Sequence, residues 1–123
     1  ELRGVLPVVQ IPLTEGEEID RDCLRSEVDW LFSHGVHGLA MGMVSETVRL
    51  TEADRDRLVA DLIEFAAGRG PVVASVGGES TRQAIRNASA AERAGATAVM
   101  AIPPALSRST PEALGGHFRA LLD

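Results

Sequence analysis

The feature that most constrains this chain is a fourfold alternation of short, continuously apolar runs with longer segments of helical period. The runs are Val5–Ile11, Val36–Gly42, Pro71–Val76 and Thr97–Ile102. Each is apolar at successive positions rather than at every second one, so each reads as a strand buried on both faces. Such strands belong to a parallel sheet covered by helices. Between and after them lie apolar stripes at helical spacing. Leu24, Val28, Leu31 and Phe32 form the first, and Leu58, Val59, Leu62, Ile63 and Ala66 the second. Ala84, Ile85, Ala88, Ala91 and Ala94 form the third, and Leu114, Phe118 and Leu121 the fourth.

Local signals fix the helix ends. Asp20, Thr51, Ser80 and Thr110 suit N-caps, with Asp54 and Gln83 three residues after two of them in the capping-box position. Pro111 suits the first helical position. Gly35 and the Gly68/Gly70 pair suit helix stops, because glycine enters the left-handed region without strain. Repeated βα units leave two architectures, an open doubly wound sheet or a closed barrel, and periodicity does not choose between them. At 123 residues the chain is shorter than a whole (β/α)8 barrel, which needs about 250.

Composition excludes several functions. A net charge of −6 and 3% aromatic residues argue against a nucleic-acid partner, which wants basic stripes and stacking rings. No apolar run approaches the roughly 20 residues of a membrane span, and no signal peptide opens the chain. A cytoplasmic protein with no membrane partner is expected. Cys23 is the lone cysteine and reads as a helix-packing residue. His34, His37 and His117 are scattered, so neither a metal site nor a cofactor is expected. All twelve basic residues are arginine; lysine and tyrosine are absent.

The order of short motifs resolves the architecture. Glu15-Gly16 before Ile19-Asp20, Gly35-Val36-His37-Gly38, Gly42-Met43-Val44-Ser45-Glu46 and Leu50-Thr51-Glu52 follow one another along the first half. Gly68-Arg69 with Pro71-Val72, Gly77-Gly78-Glu79-Ser80-Thr81, Ala94-Gly95-Ala96, Pro103-Pro104 and His117-Phe118 complete the series. This ordered set resembles the dihydrodipicolinate synthase and N-acetylneuraminate lyase family across nearly the whole chain. The resemblance implies a (β/α)8 TIM barrel, of which residues 1–123 supply the first four βα units as the N-terminal half of one domain.

The resemblance further implies an enzyme that uses pyruvate or another 2-keto acid, commonly as a homodimer or homotetramer. In the family a lysine amine attacks the keto carbon, and the resulting Schiff base is an electron sink for making or breaking a carbon–carbon bond. That lysine and an acid/base tyrosine lie on later strands, so no catalytic residue of this kind is expected within these residues. The expected substrate-binding set is the motif loop Gly42, Met43, Val44, Ser45 and Glu46, at the carboxyl end of a strand where barrel sites lie.

The loop departs from the family pattern. Met43 and Val44 stand where the family has two threonines that hold the substrate carboxylate. They read first as apolar lining, with the loop's backbone N–H groups left as donors. Ser45 replaces a glycine and is either a hydroxyl donor or a turn residue. Glu46 matches the family glutamate, reading as a structural carboxylate that accepts loop N–H groups or as an orienting group for the substrate loop. The family's tyrosine pair would fall at Pro104 and Ala105. Gly77-Gly78 reads as a strand-to-helix turn before it reads as a phosphate cradle. Two other functional readings stand beside the enzyme: a non-catalytic relative that binds a small carboxylate, and a half-barrel assembly module.

Overall fold

The computed structural model describes residues 2–42 and 46–122, with only the backbone of Glu46. Its elements are α1 (Arg21–Ser33), β1 (Leu39–Ala40), a 3-10 turn (Glu46–Arg49), α2 (Glu52–Ala66), β2 (Val72–Ser75), α3 (Thr81–Ala94), β3 (Ala98–Met100) and α4 (Pro111–Leu122). The three strands form one parallel sheet in the order β1-β2-β3, with Leu39 opposite Val72 and Val73 opposite Ala98.

The first expected strand, Val5–Ile11, is an extended segment joined to the sheet by one parallel bridge, Val8 to Ala40. It is nonetheless bonded along its length. The His37 N–H donates to the Val5 carbonyl (2.8 Å), Ala40 to Pro7 (2.9 Å), and Val9 donates back to Ala40 (3.0 Å). Pro7 has no N–H to return, which interrupts a regular ladder. The other three strands are also shorter than their apolar runs, the flanking residues continuing the pairing as single bonds such as Met41 N–H to Val73 O at 2.8 Å.

The expected caps form. Asp20, Thr51, Ser80 and Thr110 accept from the N–H groups of Cys23, Asp54, Gln83 and Ala113 at 3.0 to 3.2 Å. The reciprocal halves of the capping boxes differ from the pattern. The Thr51 hydroxyl donates to the Asp54 carboxylate, and Gln83 Oε1 accepts from the Glu79 N–H (3.0 Å), one residue before the cap. Gly35 and Gly68 have φ of +81° and +74°, but the left-handed residue that ends α2 is Ala67, at φ +48°.

The core lies between the helices and the sheet. Leu24 and Val28 of α1, Leu58 and Leu62 of α2, and Leu39, Met41, Ala74 and Val76 of the strands are almost wholly buried. Every residue of β2 is buried. The fourth expected strand departs from burial on both faces: Val99 and Met100 of β3 are 44% and 37% exposed, and Ile102 just beyond it 43%. Among the described residues β3 has a strand on one side only. Ile85, expected on the packing face of α3, is also exposed and lines a groove of mixed polarity with Val99, Glu92 and Leu122. Cys23 likewise lies on the exposed side of α1 rather than in the core.

Helices are laced to one another by arginines. Arg21 grips the buried Asp61 carboxylate with two bonds (2.9 and 2.7 Å), which ties α1 to α2. Arg86 does the same to Asp56 (2.8 and 2.6 Å), tying α3 to α2. Arg69 bonds Asp29 at 2.7 Å and lies over the Phe32 ring. The Arg21 and Arg86 guanidiniums carry two-point geometry that an ammonium could not.

Candidate functional site

The carboxyl ends of the strands carry a set of polar groups. Gly42 follows β1 and is buried. Its carbonyl accepts from the Thr47 hydroxyl at 2.8 Å, and Thr47 itself is 2% exposed. Thr47 therefore ties together the two ends of the expected binding loop. Nothing in the motif comparison singled it out, although a hydroxyl five residues past the strand-end glycine is suited to closing a short turn. Met43, Val44 and Ser45, expected in the substrate-binding set, lie outside the described residues. Glu46 begins the 3-10 turn, and its side chain also lies outside them.

Beside this loop lies a cavity of about 430 Å³, walled by Thr47, Arg55, Gly77, Glu79, Asn87 and Ile102 among others. Three loops meet there, those following β1, β2 and β3. Arg55 reaches in from α2, and its guanidinium donates to the Ser75 carbonyl at the end of β2. Burial lowers its pKa from the usual arginine value, while Asp56 and Glu52 oppose that shift and Arg86 reinforces it. It remains a cation at any physiological pH. Asn87, buried on α3, points its amide at the Val76 and Gly77 carbonyls, 3.4 Å from each.

The Gly77-Gly78 turn has a packing reason. A Cβ on Gly78 would lie 2.9 Å from the Gln83 side chain, which already occupies that space. The first N–H groups of α3 are served by Ser80, and the Glu79 N–H by Gln83. This arrangement matches the turn reading. The Glu79 carboxylate crosses to the loop after β3 and accepts from the N–H groups of Ala105 (2.9 Å) and Leu106 (3.0 Å). Pro103 and Ala105 both line the cavity.

The histidines lie apart from this cavity's lining. His34 stacks on Trp30, with ring centroids 4.3 Å apart. His37 accepts the Val5 N–H on Nδ1 (3.0 Å). His117 is buried on α4 and faces the Thr81 hydroxyl at 3.0 Å. Among the described residues no three His, Cys, Asp or Glu side chains converge as a metal site, and no helix is long and apolar enough to cross a membrane.

The site can thus hold a small polar molecule between the Arg55 cation, the Glu52 carboxylate and apolar walls. An amine nucleophile would have to come from outside residues 1–123, since they include no lysine.

Comparison with known proteins agrees with this arrangement. The chain is 40% identical over 123 residues to the 4-hydroxy-tetrahydrodipicolinate synthase of Methylobacterium radiotolerans, covering 99% of this chain and 41% of that protein. It is 36% identical to the enzyme of the same name from Cereibacter sphaeroides, of which it covers 42%. The chain therefore spans about two-fifths of the length of the curated relatives it matches. Among solved structures it superposes with a TM-score of 0.95 and 26% identity on the chloride-inhibited dihydrodipicolinate synthase from Acinetobacter baumannii complexed with pyruvate, covering 99% of this chain and 42% of that one. A putative dihydrodipicolinate synthetase from Pseudomonas aeruginosa gives 0.94 at 27% identity, with 98% and 42% covered. The βα units described above are accordingly a part of a TIM barrel. Because the model of the dihydrodipicolinate synthetase family matches residues 1–123 throughout, the chain belongs to that family.

Proposed function

We propose that the intact protein is a Schiff-base-forming aldolase, lyase or synthase that acts on pyruvate or another 2-keto acid. Residues 1–123 supply the first four βα units of one barrel domain, and the amine that attacks the keto carbon comes from a lysine outside them. The observation that carries the reading is family membership over the whole of this stretch, joined to a cavity at the carboxyl ends of the strands. Gly42, Met43, Val44, Ser45 and Glu46 form the substrate-binding loop, Met43 and Val44 as its apolar lining. Thr47 holds the loop's shape through the Gly42 carbonyl. The protein works in the cytoplasm as a homodimer or homotetramer.

A second reading, a relative that binds a small carboxylate without turnover, is favoured by one observation. Met43 and Val44 cannot donate the hydrogen bonds that threonines would give. Intact-mass measurement of the natural full-length protein with pyruvate and borohydride separates the two. Covalent trapping of a pyruvyl group on a lysine is the expected result. An unchanged mass, with pyruvate binding retained in a titration, would refute the enzymatic reading in favour of the second.

A further inference from the structure

We propose that Glu79 is the positioning residue for one wall of the cavity, clamping the loop after β3 through its backbone rather than acting on a ligand. Glu79 stands at the turn from β2 into α3, and its two carboxylate oxygens take separate partners. Oε1 accepts from Ala105 and Oε2 from Leu106. Consecutive amides on one carboxylate fix both the place and the direction of a loop, much as a bidentate guanidinium fixes a carboxylate. The clamp is held from behind. Gln83 Oε1 accepts the Glu79 N–H (3.0 Å), and the Gln83 side chain packs close against Gly78.

A second tie joins the same two units a few residues further on. The Thr81 hydroxyl, on the first residue of α3, meets His117 of α4 at 3.0 Å. The loop between β3 and α4 is thus tied at its middle to the turn that enters α3, and the helix that follows it is tied to the first residue of α3. Leu106 is 90% exposed, so side-chain burial contributes little to holding that part of the loop. The backbone bonds to Glu79 do that work. With both oxygens committed, Glu79 is a poor candidate for a proton carrier or a cation ligand, although it lines the cavity.

The test uses the intact natural protein and two readouts. The first is amide hydrogen exchange at Ala105 and Leu106. In Glu79→Ala, protection at both amides is expected to fall by about tenfold, because each loses a charge-assisted bond. In Glu79→Gln, which keeps the size and one acceptor oxygen, one amide is expected to keep its protection and the other to lose it. The second readout, which rests on the function proposed above, is the pyruvate concentration that half-saturates borohydride trapping. It is expected to rise in Glu79→Ala and to recover in part in Glu79→Gln, with the melting temperature little changed. Unaltered exchange at both amides in both variants would overturn the clamp. Altered exchange with unaltered half-saturation would overturn its bearing on the cavity. A wild-type protein that traps no pyruvate would instead refute the proposed function, and the exchange data would still decide the clamp.

Discussion

Replacing Gly70 by alanine probes the place where two strand entries come closest. A Cβ there would lie inside contact distance of the His37 carbonyl oxygen, 2.9 Å from the His37 carbonyl carbon and 3.0 Å from the Gly38 Cα. All three neighbours are backbone, so no rotamer change relieves the overlap. The approach is mutual, since a Cβ on Gly38 would lie 2.5 Å from the Pro71 carbonyl oxygen. The strands must separate, and overpacking of this kind costs about 1 to 3 kcal/mol. The lower entropy of an unfolded chain with alanine returns about 0.4 to 1 kcal/mol. The net expectation is a loss centred on about 1.3 kcal/mol, or about 3 to 5 °C in melting temperature for a barrel-sized domain. Gly116 of α4 is the control, for a Cβ there meets nothing within 4 Å and its φ is not positive. Gly116→Ala is expected to raise stability by about 0.5 to 1 kcal/mol, the helix-propensity difference. Thermal and denaturant unfolding of both variants in the intact protein would check the pair. A Gly70→Ala protein that melts with or above the wild type would refute the close approach as the reason for glycine at this position.

Thr47→Val is expected to lower stability by about 1 to 2 kcal/mol, because the Gly42 carbonyl loses its buried donor; it should also weaken pyruvate trapping, and wild-type behaviour in both assays would count against a loop tie. Leu58→Ala, at 1% exposure in the core, should cost about 2 to 5 kcal/mol, checked by the denaturation midpoint at constant m-value. The hydrogen bond to Asp61 raises the Arg21 pKa above its usual value, with the charge of Asp61 next in effect. A raised folded-state pKa gives stability that is fully present below the unfolded value and lost only as pH climbs through the folded one. Both lie far into the alkaline range. Arg21→Gln should therefore lower the melting temperature by a constant amount between about pH 6 and pH 9. A difference that varied across that window would show another titrating group at work.

Most of the scaffold was legible in the sequence because it depends on local signals. Asp20, Thr51, Ser80 and Thr110 announce the helix starts by a side-chain oxygen that reaches only three residues. The runs around Val72 and Leu39 announce buried strands by uninterrupted apolarity. What was not legible depends on what each element faces. Ile85 has the spacing of a core residue, yet it lies over β3, which has a strand on one side only. Cys23 sits within an amphipathic pattern but on its outer side. The proline that breaks the first ladder is visible at position 7, whereas its effect on hydrogen-bond assignment is a matter of pairing geometry. At the site, the motif placed the loop at Gly42 but could not reveal that Thr47 spans it. Nor could it reveal that Glu79 reaches across to residues 26 and 27 positions away. Such ties are set by tertiary approach, for which a single sequence carries no periodic signal.

The helix and strand order has a consequence for how perturbations spread. The substantial packing contacts join α1 to α2, α2 to α3, α3 to α4, β1 to β2 and β2 to β3, so each unit meets chiefly its neighbours in sequence. A perturbation within this stretch should therefore be felt most by the adjoining units. Substitutions in α1 and α4 share no partner and should change stability additively, to within about 0.5 kcal/mol. Changes on facing sides of one junction, such as Asp56 with Arg86, should not add. Nor should changes in the loops after β2 and β3, which Glu79 joins, so those two strand ends are not free to vary independently.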